Sequence, residues 1–198
     1  MKTHVKRLLL TIVFTVFFLS FLLILFYFIR VTNEKTAFQD STFQSQIVSK
    51  VSLGLPVRLI IPVINVDAKI QYLGVTTNGE MEIPSNAIDV GWFDLGPRPG
   101  KNGSAVIAGH FNGENGEAGV FINLYKLKKG NKLYIKDAKG KTISFVVRES
   151  RIYDPGYAND VFSGSGSAYL NLITCDGVWD GAKKSYSKRL VVFADIVR

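Results

Sequence analysis

An apolar run near the N-terminus constrains the fold of this chain more than any other feature. Between Leu8 and Ile29 the sequence reads LLLTIVFTVFFLSFLLILFYFI, interrupted by two threonines and one serine. As a helix this run would be about 33 Å long, enough to cross the hydrocarbon core of a bilayer. A helix that is apolar on every side needs lipid or a thick protein core around it. Because the run is longer than the usual apolar core of a signal peptide and no small-residue cleavage site follows it, we predict an uncleaved membrane helix over residues 8–29.

The charges that flank this run predict its orientation. Three basic residues and no acidic residue precede Leu8, whereas the charges in the stretch after Ile29 nearly cancel. Positively charged flanks of membrane helices tend to stay in the cytoplasm. We therefore predict a cytoplasmic tail over residues 1–7, a single-pass anchor in the cell membrane, and an extracellular remainder.

The overall composition excludes several classes of protein. The formal net charge is +8, of which about +5 belongs to the part after residue 29, and that part contains no run rich in Lys and Arg. A solvated surface explains this mild basicity better than a nucleic-acid site does. One cysteine and two histidines supply neither an intrachain disulfide nor a structural zinc cluster. We accordingly predict no nucleic-acid partner, no metal and no cofactor.

The rest of the chain divides into a linker and one domain. Residues 30–55 are rich in Thr, Gln and Ser, which is typical of a linker or stalk. Residues 56–198 are numerous enough to bury a single core. Their short runs of Val, Ile and aromatic residues, separated by Gly, Asn, Asp and Pro clusters, predict an all-β barrel or sandwich of seven or eight strands. The predicted strands cover residues 57–61, 68–72, 104–110, 132–135, 142–151, 169–175 and 189–197, with one short helix over 118–127.

Three side chains that could take part in a reaction lie at predicted strand ends: His110, Cys175 and Arg189. If the last two strands run antiparallel, Cys175 and Arg189 lie at the same end of the sheet, joined by a loop of about 13 residues. His110 joins them there only if its strand runs parallel to the cysteine strand. The chain between those two strands is long enough for that crossover.

These residue types together indicate acyl transfer. A thiolate can attack a carbonyl, an imidazole can carry the proton, and a guanidinium can stabilise a developing oxyanion. Each residue also has a structural alternative: a small buried cysteine, a hydrogen-bonded histidine, or a solvated arginine. An idle exported thiol would be open to oxidation, which favours the reactive interpretation of Cys175. The chain order His, Cys, Arg disfavours a papain-like hydrolase.

Several separated blocks of the sequence resemble the sortase family. These are Leu-Ile-Thr-Cys at 172–175, Lys-Arg-Leu-Val-Val at 188–192, Ala-Val-Ile-Ala-Gly-His at 105–110, Pro-Val-Arg-Leu-Ile-Ile-Pro at 56–62 with Val-Asp-Ala at 66–68, and Val-Gly-Trp-Phe at 90–93. The resemblance implies a closed β-barrel of about eight strands with one or two short helices, in which the His and Cys strands are parallel. It also implies Cys175 as the nucleophile and His110 as the general acid/base. Arg189 would be the oxyanion or substrate-orienting group, and Thr174 would contact substrate.

The same resemblance implies a function, that of a membrane-anchored cysteine transpeptidase on a Gram-positive cell surface. Such an enzyme cleaves a Leu-Pro-x-Thr-Gly-like sorting signal near the C-terminus of secreted proteins through a thioester. It then transfers the acyl group to an amine of a cell-wall precursor or a pilin lysine. The sequence blocks are most similar to class D, E or F sortases, class F foremost, and we find no N-terminal extension like the class C lid.

Two other functions stay open on sequence grounds. An L,D-transpeptidase also combines a cysteine with an upstream histidine, but its Ser-His-Gly-Cys signature differs from the Ile-Thr-Cys-Asp at 173–176. A non-catalytic, membrane-tethered β-domain would predict a buried and inert Cys175. The polar stretch at 163–167 departs from a hydrophobic helix often found before the cysteine strand. Glu114 and Glu117 give no clear match to the calcium-binding carboxylates of class A.

Overall fold

The computed structural model describes residues 18–27, 29, 53–156 and 158–197. The chain divides into two compact units, Met1–Ser52 and Leu53–Arg198. In the first unit, residues 18–27 form a helix (α1) with exposed side chains. Among the described residues, no helix is both long enough and apolar enough to span a membrane. The predicted tail, about half of the predicted membrane helix and nearly all of the predicted linker lie outside the described residues, so these assignments stay predictions.

Eight strands of the second unit form a closed barrel with the neighbour order β1-β2-β3-β4-β7-β8-β6-β5. This architecture confirms the predicted all-β barrel. A short helix, α2, and two 3-10 turns at Pro62–Ile64 and Leu124–Lys126 accompany the strands. The bounds are β1 Pro56–Ile61, β2 Val66–Leu73, β3 Val90–Phe93, β4 Gly103–Gly109, β5 Lys132–Asp137, β6 Thr142–Tyr153, α2 Asn159–Phe162, β7 Ala168–Asp180 and β8 Ser185–Ile196.

Two local predictions differ from the structure. The predicted helix over 118–127 is wrong: this segment forms turns and the 3-10 turn Leu124–Lys126. The amide of Phe121 donates to the His110 carbonyl at 2.9 Å, and Gly119 lies so close to that carbonyl that a Cβ would sit 2.3 Å from its oxygen. These contacts fold the segment back on the end of β4.

Strand β3 was not predicted as a strand, because its glycine weakens the pattern. A Cβ on Gly91 would lie 2.0 Å from the Leu73 side chain, so the close approach of β2 and β3 requires glycine there.

The barrel interior is filled by alternate residues of the strands. Leu59, Ile107, Phe145 and Leu172 are each fully buried there. Full burial of an aliphatic or aromatic side chain of this size contributes about 1.5–3 kcal/mol, so this core dominates the stability of the unit.

A second apolar cluster covers the opposite face of the same strands. Val106 of β4 and the β8 residues Val191 and Phe193 are buried there against Val161 of α2. Central strands of the barrel are therefore apolar on both faces, as happens where a sheet is covered on both sides. The outer cover includes α2 and part of the β2–β3 connection, and the candidate site lies at its edge.

Candidate active site

The pairing of β4 with β7 brings His110 and Cys175 to the same level of the sheet. These strands run parallel with Ala108 opposite Ile173, as required by the prediction. Two residues further along each chain stand His110, directly after β4, and Cys175, within β7. Side chains alternate between faces along a strand, so both residues share the outer face with Ala108 and Ile173. Neighbouring strands lie about 4.8 Å apart, so the backbone positions of the two residues are close to each other across the sheet.

The pairing of β7 with β8 sets Arg189 directly opposite Cys175. In an antiparallel pair, residues that face each other project from the same side of the sheet. The predicted 13-residue loop between them is wrong. β7 continues to Asp180 and β8 begins at Ser185, so the two strands form a long hairpin that extends past the cysteine. The polar sequence of this hairpin lacks the apolar alternation that would have revealed it.

The Arg189 guanidinium is oriented by its own hairpin. Its Nη1 donates to the carbonyls of Tyr186 and Lys188 at 2.9 and 2.8 Å, and its Nη2 donates to the Ser185 hydroxyl at 3.1 Å. A guanidinium carries five N–H donors in a rigid plane. These three bonds therefore fix the plane and leave donor capacity for a ligand at the site.

His110 is oriented by the connection between β2 and β3. Its Nε2 lies 2.8 Å from the Pro84 carbonyl oxygen. A carbonyl only accepts hydrogen bonds, so Nε2 carries a proton and Nδ1 is the nitrogen that can exchange one. The acceptor is itself anchored, because the Ser85 amide next to Pro84 donates to the Gln71 side-chain oxygen at 3.0 Å. No pattern in the sequence indicates this backbone contact.

Burial controls the state of the Cys175 thiol. The residue is partly buried. Burial raises the pKa of the thiol above its ordinary value, and the positive charge of Arg189 opposes this effect only in part. Burial therefore favours the protonated thiol, and any reaction through the sulfur would need a base to accept its proton.

Thr174 connects the two strands that carry His110 and Cys175. It is buried, and its hydroxyl donates to the carbonyl of Gly109 at 2.9 Å. The side chain thus belongs to the interior face and links β7 to the last residue of β4. The contact of Thr174 with substrate stays a prediction.

Replacing Thr174 with valine should destabilise the barrel by about 1–3 kcal/mol, because it leaves the Gly109 carbonyl buried without this partner. Thr174→Ser, which keeps the hydroxyl, is the matched control and should lose less. Thermal unfolding of the full chain in detergent micelles, followed by circular dichroism, measures the difference. A valine variant as stable as the parent would show that the hydroxyl does not support this junction.

A pocket of about 560 Å³ opens on the outer face, and of the three candidate residues Arg189 lines it. Ala108 and Ile173, each two residues before His110 and Cys175 in the chain, also line it, whereas His110 and Cys175 are outside its lining. Its volume suits a short peptide or drug-sized ligand. The strands supply an apolar floor, whereas the β2–β3 connection and the segment around α2 supply the walls. The rings of Phe93 and Phe162 meet edge to face at 5.6 Å in this region. The lining residues are Val75, Gly79, Glu80, Met81, Glu82, Ile83, Phe93, Ala108, Pro155, Gly156, Phe162, Ile173 and Arg189.

Sequence reasoning identified Arg189 but not the rest of this lining. The available signal was the apolar character of outward positions such as Ala108 and Ile173, next to equally apolar inward positions. Strands with two apolar faces indicate a covered outer face. Within the described part of the chain, no group of three or more His, Cys, Asp or Glu residues is arranged to hold a metal ion.

Comparison with known proteins identifies the family. Residues 59–197 match the model of the sortase domain, so the chain belongs to the sortase family. It is a sortase-type transpeptidase, as the similar solved structures also support. Sortase C-1 from Actinomyces oris is 26% identical, with 72% of this chain and 75% of that chain covered and a TM-score of 0.59. A pilus-related sortase C of Group B Streptococcus is 25% identical, with 75% and 70% covered and a TM-score of 0.56. No curated protein sequence matches the chain.

Proposed function

We propose that this sortase is a cysteine transpeptidase in which Cys175 attacks the carbonyl of a C-terminal sorting signal of the Leu-Pro-x-Thr-Gly kind. The observation that carries the proposal is the strand register. Cys175 lies directly opposite Arg189, and the β4–β7 pairing brings His110 to the same level. A nucleophile, a proton carrier and a fixed cation at one level of the sheet, next to a pocket that the cation lines, are the parts that acyl transfer needs.

The proton moves between Cys175 and His110 in each half of the reaction. Because burial favours the protonated thiol, Nδ1 of His110 accepts its proton as the sulfur attacks the scissile carbonyl. The tetrahedral intermediate collapses, the peptide C–N bond breaks, and the leaving amine takes that proton. The product is a thioester between Cys175 and the carboxyl side of the threonine. An acceptor amine then loses a proton to His110 as it attacks the thioester, and the thiolate leaves and is reprotonated.

Arg189 stabilises the negative charge that develops on the carbonyl oxygen in both steps. The guanidinium is always charged and is held in plane by its hairpin. A donor that is aligned before the reaction has no reorganisation cost in the transition state. Its charge also favours the thiolate, because it lowers the pKa of Cys175 against the effect of burial.

Membership of the sortase family supports a proposal for the substrates. The acyl donors are secreted proteins with a C-terminal sorting signal, and the acceptor is an amine of a cell-wall precursor or a pilin lysine. Both reach the outer face of the membrane, where the predicted anchor over residues 8–29 would hold the barrel. We infer that the enzyme acts on a Gram-positive cell surface. Similarity to class D, E or F stays a prediction of the sequence blocks; the solved structures named above are of the C type.

Alkylation of Cys175 across pH tests this proposal, using the full chain in detergent micelles. Because burial raises the pKa of the thiol, we expect iodoacetamide labelling to rise with pH, with a midpoint above that of a free cysteine. Arg189→Met removes the charge that lowers this pKa and should move the midpoint higher still. The best-cleaved member of a Leu-Pro-x-Thr-Gly-type peptide library should protect the thiol. Labelling that is slow at every pH and insensitive to peptide would favour an inert cysteine.

A further inference from the structure

A single side chain joins the His110 segment to the start of β8. The hydroxyl of Tyr186 donates to the side-chain oxygen of Asn112 at 2.9 Å. The Tyr186 ring also meets the ring of Phe111 edge to face, with centroids 5.6 Å apart. Phe111 and Asn112 directly follow His110, so Tyr186 contacts the two residues next to His110 in the chain.

This bridge crosses the strand that carries the nucleophile. In the sheet, β7 lies between β4 and β8. The pairing of β7 with β8 shifts register between Asp176 and Trp179, and Gly177 has a φ of 81°. A glycine in the left-handed region is typical of a β-bulge, which bends the strand locally. The bulge lies between Asp176 and Trp179, just after Cys175, and the Tyr186 side chain reaches from β8 to the residues after β4.

Other contacts connect the bulge in β7 to the start of β8, where Tyr186 lies. The amide of Val178 donates to the Ser187 hydroxyl at 3.0 Å, which satisfies a group that the bulge removes from the ladder. A Cβ on Gly177 would lie 2.5 Å from that hydroxyl oxygen, so a larger residue would displace it. The Tyr186 ring meets Trp179 of β7 edge to face, with centroids 5.2 Å apart.

Tyr186 also reaches the third residue of the candidate site. Its backbone carbonyl accepts a hydrogen bond from Nη1 of Arg189 at 2.9 Å. One residue therefore contacts the segment after His110, the strand of Cys175 and the guanidinium of Arg189. Tyr186 does not line the pocket. The pocket includes Ile173, which precedes Cys175 in β7, whereas Tyr186 pairs with Trp179, which follows Cys175.

We propose that Tyr186 is a positioning residue for acyl transfer, which sets the place of His110 relative to Cys175 through its bond to Asn112. This inference rests on the proposed function. Proton transfer between sulfur and imidazole depends steeply on their separation, and small displacements lower the rate of the chemical step. Because the pocket is not touched, substrate affinity should be retained when the bridge is broken.

Steady-state kinetics of the full chain in detergent micelles test the proposal. Tyr186→Phe keeps the ring contacts and the Arg189 acceptor but loses the bond to Asn112. We expect it to lower kcat about 10- to 100-fold with KM within about twofold of the parent. Asn112→Ala should give a similar loss, and the double variant should be no worse than the more impaired single variant, because both remove one bond. Tyr125→Phe, at an exposed tyrosine, is the matched control and should match the parent.

A second measurement separates this inference from the proposed function. With selectively ¹⁵N-labelled histidine, a His4→Gln background leaves His110 as the single source of imidazole signals in the chain. Tyr186→Phe should move these signals, whereas Tyr125→Phe should not. Unmoved signals, or kinetics of Tyr186→Phe equal to those of the control, would overturn the positioning role. A parent chain that cleaves no library peptide while Tyr186→Phe still moves the His110 signals would instead refute the proposed function.

Discussion

Replacing Cys175 with alanine is expected to lower the rate of sorting-signal cleavage by about four orders of magnitude or more, down to background. Cys175 is the single cysteine of the chain, so no second thiol can form the thioester. The imidazole and guanidinium alone can polarise a carbonyl, but they offer no covalent route. Cleavage of the best library peptide by the full chain in detergent micelles, followed by mass spectrometry, measures the loss.

The fold should tolerate this change. Cys175 lies on the outer face of β7 and is only partly buried, whereas its neighbours on the inner face, such as Leu172 and Thr174, are buried. We therefore expect the unfolding midpoint of Cys175→Ala to stay close to that of the parent. Cys175→Ser, with a hydroxyl far less acidic than a thiol, should be equally inactive. Peptide cleavage by Cys175→Ala at the parent rate would exclude the thioester mechanism.

Replacing Arg189 with lysine is expected to lower kcat about 100- to 1,000-fold, the usual cost of removing one oxyanion donor. An ammonium keeps the positive charge near Cys175 but lacks the planar fork of donors. It therefore cannot reproduce the bonds to Tyr186 and Ser185 that hold the guanidinium in place. Because the positive charge is kept, the Cys175 thiol should keep most of its acidity. The loss of kcat should therefore reflect weaker stabilisation of the transition state.

Two comparisons isolate this effect. Arg189→Met removes the charge as well, so its alkylation midpoint should lie above that of Arg189→Lys while its kcat is at least as low. Arg58→Lys is the control. Arg58 is half exposed and pairs with Asp67, on strands β1 and β2, which are not neighbours of β7 or β8 in the barrel. Turnover by this variant should equal that of the parent. Near-normal turnover of Arg189→Lys would remove Arg189 from the reaction.

The sequence predicts much of the site because its three candidate residues stand next to apolar runs that form the strands. His110, Cys175 and Arg189 are rare or charged residues that border apolar runs. The chain between the His and Cys runs is long enough to permit a parallel relation, which the resemblance to sortases implies. The pairing of β4 with β7 confirms that relation. Short strands and glycine-rich turns predict a barrel or a sandwich, and the resemblance to sortases implies the barrel that the structure shows.

The parts that sequence reasoning missed depend on contacts between residues distant in the chain. The partner of His110 is the backbone carbonyl of Pro84, and every residue type has such a carbonyl. The identity of the residue at position 84 therefore gives no signal for this contact. The pocket depends on how α2 and the β2–β3 connection fold over the sheet. The hairpin beyond Cys175 pairs polar residues whose pattern carries no periodic signal. Such features become visible only when the strand register is known.

The acyl-enzyme itself gives the most direct test of the central claim. The full chain, mixed with the best library peptide and no acceptor amine, is quenched in acid and analysed by intact and fragment mass spectrometry. We expect an added mass equal to the peptide up to its threonine, located on Cys175 and released by hydroxylamine. Cleaved peptide without any such adduct, or an adduct that persists in Cys175→Ala, would contradict the account.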